Sequence, residues 1–223
     1  VDTGQTNFTQ TRELGVFDSD RALTGGSGES LLNQLRGRST HLGLYATRTQ
    51  MLQPGLTVTA SGRLNHSHVL ARDQLRAVTP NLDADYVYRS INPAVGLSLA
   101  LTPVMTAYAN AGQGSRAPSP IELGCSDRSN PCTLPNAMQS DPYLKQVITR
   151  SIEAGVRGRE RNLQWSAGLF SATSQDDILF IGTSTSAGYF TNFGRTRRSG
   201  GEFALSARRD VLAQAGAASV GDL

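Results

Sequence analysis

Leu56-Thr-Val-Thr-Ala-Ser-Gly-Arg-Leu-Asn65 is the stretch on which the fold turns. Leu56, Val58, Ala60 and Leu64 occupy one set of alternate positions, and Thr57, Thr59, Ser61, Arg63 and Asn65 the other. Side chains of an extended strand point to opposite faces in turn, so this segment is a strand with one apolar and one polar side. A helix would turn Val58, two residues from both Leu56 and Ala60, away from them, so the shared face marks a strand.

The same two-residue period recurs outward from it. Val95, Leu97, Leu99 and Leu101 alternate with Gly96, Ser98, Ala100 and Thr102; Leu163, Trp165, Ala167 and Leu169 alternate with Gln164, Ser166, Gly168 and Phe170. Eight strands are expected, over 6–16, 40–50, 56–66, 91–101, 104–115, 147–157, 163–180 and 189–208. The connections between them alternate in length. Long ones run over 17–39, 67–90, 116–146 and 182–188; short ones are Met51 to Gly55, Thr102-Pro103 and Gly158 to Asn162. A sandwich has no reason to gather its long loops at one end, whereas a barrel crossing an outer membrane has long extracellular loops and short periplasmic turns. The expected fold is therefore all-β: about eight meandering antiparallel strands of a transmembrane β-barrel. In lipid every backbone N–H and C=O must pair within the sheet, and the polar faces would line a wet or plugged lumen.

Composition agrees and removes other classes. Only 38% of residues are apolar and 17% charged, while 23 are Gly, which suits many turns and two-faced strands better than a helix bundle. No run of apolar residues is long enough for a membrane helix. The net charge of +3 is carried almost wholly by Arg, with Lys145 the single lysine. The arginines are scattered and accompanied by no motif, so a nucleic-acid partner is not expected. Cys125 and Cys132 enclose a turn-forming Ser-Asp-Arg-Ser-Asn-Pro run, which predicts a disulfide at a loop apex in an oxidising compartment. The histidines, His41, His66 and His68, lie far from the thiols, and no cofactor or metal set is expected. No nucleophile–base–acid grouping or phosphate-binding loop is legible, so no catalysis is expected.

Four runs in the second half resemble the barrel of TonB-dependent outer-membrane receptors. The first is Ala107-Tyr-Ala-Asn-Ala-Gly-Gln-Gly-Ser-Arg-Ala-Pro-Ser119, a small-residue strand leading into an Arg-Ala-Pro element. The second is Asp141-Pro-Tyr-Leu-Lys145 followed by Ser151-Ile-Glu-Ala-Gly-Val-Arg157, similar to the family's Asn-Pro-x-Leu-Lys-Pro-Glu and Glu-x-Gly stretch, although Gln146-Val147 stands where Pro-Glu is common. The third is Trp165 to Phe170 with Asp177-Ile-Leu179, and the fourth Phe190 to Gly200 with Glu202, similar to the family's Asn-x-Gly and Gly-x-Glu elements.

The resemblance implies a receptor of roughly 22 strands with a plugged lumen, in which residues 1–223 form part of the barrel domain, without the plug domain or the final strands. Asp210 to Leu223 makes a poor strand, in keeping with a piece of something larger. The implied role is TonB-dependent uptake of a scarce nutrient, a ferric siderophore or similar iron complex. A passive porin-like channel or a barrel adhesin is the alternative. Implied partners are outer-membrane lipid, the plug domain and, through the plug, TonB; the residues assign no ligand contacts.

The motif residues Arg116, Ala117, Pro118, Glu153, Gly155, Asn192, Gly194, Gly200 and Glu202 are expected to be mainly structural. Arg116 either meets a ligand at the loop mouth or points into the lumen while Pro118 sets the strand exit. Glu153 and Glu202 alternate with apolar neighbours and should face inward, toward a plug or toward a lumenal arginine. Tyr45, Tyr86, Tyr88, Tyr108, Trp165, Phe190 and Phe193 are candidates for the interfacial aromatic belt.

Overall fold

The structure, a computed structural model, describes residues 1–26, 28–75, 83–128, 132–133, 143–184 and 187–207. In chain order its elements are β1 (Asp2–Arg12), β2 (Gly15–Phe17), β3 (Leu23–Gly26), β4 (Ser30–Gln53), β5 (Leu56–Asp73), β6 (Ala84–Thr102), β7 (Met105–Arg116), α1 (Pro120–Gly124), β8 (Cys132–Thr133), β9 (Val147–Glu160), β10 (Leu163–Gln175), β11 (Ile178–Gly182), β12 (Ala187–Asn192) and β13 (Arg195–Ala207). The eight longest strands pair in the order β1-β4-β5-β6-β7-β9-β10-β13, antiparallel throughout. β11, β12 and β8 form a second sheet, and β2 and β3 a hairpin.

Residues directly opposite across a ladder share a face, so the register carries the two-sidedness of Leu56 to Asn65 across the sheet. Leu56, Val58, Ala60 and Leu64 face with Leu99, Leu97, Val95 and Ile91. That row continues through Ala109, Ala154, Leu169 and, on β13, Phe203. These side chains are bare: Ile91 is 65% exposed, Leu169 71% and Phe203 72%. An apolar face of this breadth is a lipid-facing surface, since water-soluble monomers rarely expose large contiguous apolar patches. The opposite, inner face carries Thr57, Ser61, Asn92, Asn110, Glu153, Ser166 and Glu202.

Three two-residue turns lie at one end of the sheet: Pro54-Gly55, Pro103-Val104 and Arg161-Asn162. Gly55, at φ +82°, supplies the left-handed conformation the first turn requires. Its carbonyl accepts from Ala100 N (2.7 Å), and the Val104 carbonyl accepts from Arg159 N (2.9 Å), tying each turn to the next hairpin. At the other end the long strands connect through segments that carry the smaller elements.

Several expected spans are corrected. The first strand covers 2–12, not 6–16. The stretches 17–39 and 67–90, expected as loops, are strand over much of their length: β4 begins at Ser30, β5 reaches Asp73 and β6 starts at Ala84. The cause is a buried cluster on the inner face. Leu35, Val69, Ala71, Ala84 and Tyr88 pack there with Leu123, Leu144, Val147 and Ile178. Protein packing, not lipid, sustains these strand ends, so their outward residues need not be apolar and the alternation fades. The expected strand 163–180 breaks at Asp176 (φ 51°), and 189–208 splits at Gly194 (φ 38°). The two kinks face each other, with Asp176 N donating to the Gly194 carbonyl (2.7 Å) and Phe193 N to the Asp177 carbonyl (2.6 Å). There the chain leaves the large sheet for the small one. The tail from 208 onward lies outside the described residues.

Candidate functional site

Glu153, Gly155, Gly200 and Glu202, singled out in the sequence, meet on the inner face of β9 and β13 with β10 between them. Gly155 stands opposite Tyr108 on one side and Gly168 on the other; Gly168 is opposite Glu202, and Gly200 opposite Phe170. A Cβ on either Gly155 or Gly168 would lie 2.7 Å from the Tyr108 hydroxyl oxygen. The two glycines therefore make a trough across neighbouring strands in which the Tyr108 ring lies flat. The ring brings its hydroxyl to the Glu153 carboxylate, and the Arg157 guanidinium sits 5.9 Å from its centroid. Phe170 covers Gly200 in the same way, its Cζ 2.9 Å from where a Cβ would be.

Among the described residues no arginine forms an ion pair with Glu153 or Glu202. Both share the inner face with Tyr108 and Ser166, and of the two partners considered for them, a plug or a lumenal arginine, no described arginine is paired with either. The Tyr108 hydroxyl lies beside the Glu153 carboxylate. The wall thus offers two carboxylates, a phenol and a guanidinium on an otherwise small-residue surface. In such a set the carboxylates can accept hydrogen bonds from a docked protein segment and the guanidinium can donate them.

The Arg-Ala-Pro element anchors the inward-packed helix. Ser119 caps α1 in a capping box: Glu122 N donates to Ser119 Oγ (3.2 Å) and Ser119 N to Glu122 Oε2 (2.8 Å), with Pro120 in the first turn. Arg116 Nη1 donates to the same Glu122 oxygen at 2.7 Å. Arg116 is therefore tied to the helix rather than extended freely into the lumen. Pro118 is fully buried and Ala117 packs against the core cluster. A Cβ at Gly37 would come within 2.9 Å of Pro120, so only glycine lets α1 approach β4 this closely.

Asn192 is the fastener of the loop end. Its Oδ1 accepts from Lys145 N (2.8 Å), and its Nδ2 donates to the Lys145 carbonyl (3.1 Å) and the Asp176 carbonyl (2.7 Å). Gly194 supplies the kink two residues on. Tyr88 donates to the Leu144 carbonyl (3.0 Å) and Phe190 N to the Cys125 carbonyl (2.6 Å), closing the assembly. Cys125 is buried and disulfide-bonded. Cys132 lies in β8, opposite Gly188 of β12; its side chain is outside the described residues.

Other expected residues distribute differently. Of the belt candidates, Trp165 is on the outer face near the turns, as that role requires. Tyr45 and Tyr108 face inward, Tyr86 and Tyr88 pack with Tyr143, and Phe190 packs on Phe180. His68 pairs with Asp85 (2.7 Å) and His41 with Ser67 (2.9 Å). No group of three or more potential metal ligands occurs among the described residues. Sequence reasoning missed Tyr108 as the cover of the glycine trough, Gly168 as half of it, and α1. The helix had a readable signal in Ser119-Pro-Ile-Glu122, a capping box with proline at its start. The trough had none, because it is formed across strands.

The fold has counterparts among known proteins. A family model described as "TonB dependent receptor-like, beta-barrel" matches residues 2–220. Among solved structures, the chain is similar to the copper transporter OprC, at 19% identity and a TM-score of 0.61 over 93% of this chain and 32% of that one. It is also similar to the ferric-catecholate import receptor Fiu from E. coli K12, at 15% identity and a TM-score of 0.61 over 94% of this chain and 33% of that one. Similarity to the unliganded ferric citrate transporter FecA is 17%, with a TM-score of 0.60 over 80% of this chain and 24% of that one. The first of these thus has about three times the length this chain spans. No curated protein sequence matches. Sequence family and architecture agree: the chain belongs to the TonB-dependent receptor-like β-barrels of the bacterial outer membrane.

Proposed function

We propose that residues 1–223 form part of the barrel wall of an importer that takes up an iron complex, most simply a ferric siderophore, with energy from TonB. The observation that carries this is the inner face. It is polar, holds Glu153, Tyr108 and Glu202 toward the lumen, and is covered at its loop end by α1. Such a wall suits an occupied aqueous lumen. A plug domain supplied by the complete receptor would sit against the Glu153–Tyr108–Glu202 surface and carry the TonB contact. The loop end is extracellular and the three tight turns periplasmic. The names of similar proteins, a ferric-catecholate import receptor, a ferric citrate transporter and a copper transporter, favour a metal complex as cargo. The Cys125–Cys132 disulfide stiffens the long loop, which thiol counting by mass before and after reduction checks.

The deciding experiment is uptake of radiolabelled ferric siderophores by cells carrying the complete receptor, with and without TonB. Uptake that requires TonB supports the importer. Ion flux that is independent of TonB would make the protein a porin, and adhesion without flux an adhesin.

A further inference from the structure

On the outer face, just beyond the apolar band on the loop side, three arginines converge. Arg150 of β9 and Arg197 of β13 both stand opposite Thr173 of β10, one on each side, and Arg195 stands opposite Gln175. Neighbouring strands lie ~4.8 Å apart, so the two flanking backbones are separated by roughly 10 Å, a gap that accommodates a phosphate group. The arginines line a depression of about 460 Å³ together with Ser171 and Thr173. Two of the stems are fixed by neighbouring strands: Arg150 Nε donates to Gln113 Oε1 (2.9 Å) and Arg197 Nε to Ser171 Oγ (3.3 Å). Both Nη groups of each are thereby left for another partner. All three side chains are exposed, and none makes an ion pair among the described residues. The carboxylates nearest the cluster on these strands, Glu153 and Glu202, face the other way, and Glu160 lies ten residues from Arg150 at the turn end. Arg150 is two residues above the outward Ile152, and Thr173 four above Leu169, so the cluster lies roughly 7–13 Å past the last large lipid-facing side chains.

We propose that Arg150, Arg195 and Arg197 form a binding site for a phosphorylated lipid headgroup, whose acyl chains lie on the apolar row through Ile152 and Leu169. Guanidinium forks match phosphate oxygens geometrically. Depth, charge and the adjoining apolar surface together select a lipid phosphate over a free one. The site rests on the reading of the outer face as lipid-facing, and is independent of cargo and of TonB.

The test is native mass spectrometry of the complete receptor in neutral detergent, without cargo. The probes are dioctanoyl phosphatidate, dioctanoylglycerol and inorganic phosphate. Retention of one phosphatidate, at least tenfold tighter than either other probe, is expected. R150Q/R195Q/R197Q should lose on the order of a hundredfold, and R197Q alone about fivefold, at one electrostatic contact per arginine. R198Q removes the same charge one residue away on the inner face and should bind like the parent. Unchanged melting temperatures verify folding. Equal loss in R198Q, full retention in the triple variant, or equally tight inorganic phosphate would overturn the proposal. A protein that stays monomeric without detergent would instead refute the lipid-facing surface, and failed uptake would leave the site standing.

Discussion

Two glycines of the sheet illustrate how one missing methyl group acts by context. At Gly155 an added Cβ would strike both the Tyr108 ring and the backbone carbonyl of Ala167, so rotation of the tyrosine alone cannot relieve it. At Gly62 nothing lies within 4 Å. Gly155→Ala should therefore cost about 1–3 kcal/mol through overpacking, and Gly62→Ala stay within about 0.5 kcal/mol of the parent; urea unfolding midpoints of the two variants check this. Asn192 gives a second test, because Lys145 is the sole lysine. Asn192→Ala removes three hydrogen bonds to backbone, on the order of 2–3 kcal/mol. Cleavage after Lys145 by a lysine-specific protease should accelerate by roughly tenfold or more. Asn192→Asp should rescue little, since a carboxylate cannot donate to the Lys145 and Asp176 carbonyls.

Among elements, α1 is small but decides how the loop end packs. Leu123 is fully buried against β4 and β5. Leu123→Ala should cost about 2–5 kcal/mol and raise hydrogen exchange in α1 and the upper ends of β5 and β6, leaving the turn-side half of the sheet protected. Glu122→Ala should free both the cap and Arg116 with a smaller loss, about 1–2 kcal/mol. The membrane part of the strands was legible because lipid enforces a strict two-residue alternation, as from Leu56 to Asn65. The upper parts of β4, β5 and β6 were not, because their inward residues pack on α1 and their outward ones need no single polarity. The kinks at Asp176 and Gly194 escaped for a related reason: each is fixed by the other across the sheet. Of the motif residues, their sharing one inner face followed from alternation, but the Tyr108 trough that joins them depended on register.

For the molecule as a whole, the two faces make opposite demands on adjacent residues of one strand. Phe203 faces lipid and Ala204, opposite Ser166, faces the lumen. Phe203→Arg should cost about 2–4 kcal/mol near the bilayer midplane, while Ala204→Arg should be tolerated; folded yield in lipid vesicles, read by heat-dependent gel mobility, separates the two. The length of the strands has a further consequence. β4 runs 24 residues, about 80 Å at ~3.4 Å per residue, and a tilt of about 45° leaves roughly 55 Å of height against an apolar band of about 25 Å. Over β4, β5 and β6, at 24, 18 and 19 residues, the wall therefore rises well above the apolar band, whereas β7, β9, β10 and β13, at 12–14 residues, rise little beyond it. In the importer proposed above, a solute beside these three strands would meet a tall polar lining, so each chance contact with it would be followed by others. Capture would then depend on residence time against that lining, and weak wall contacts would hold cargo that a shallow, open mouth would lose.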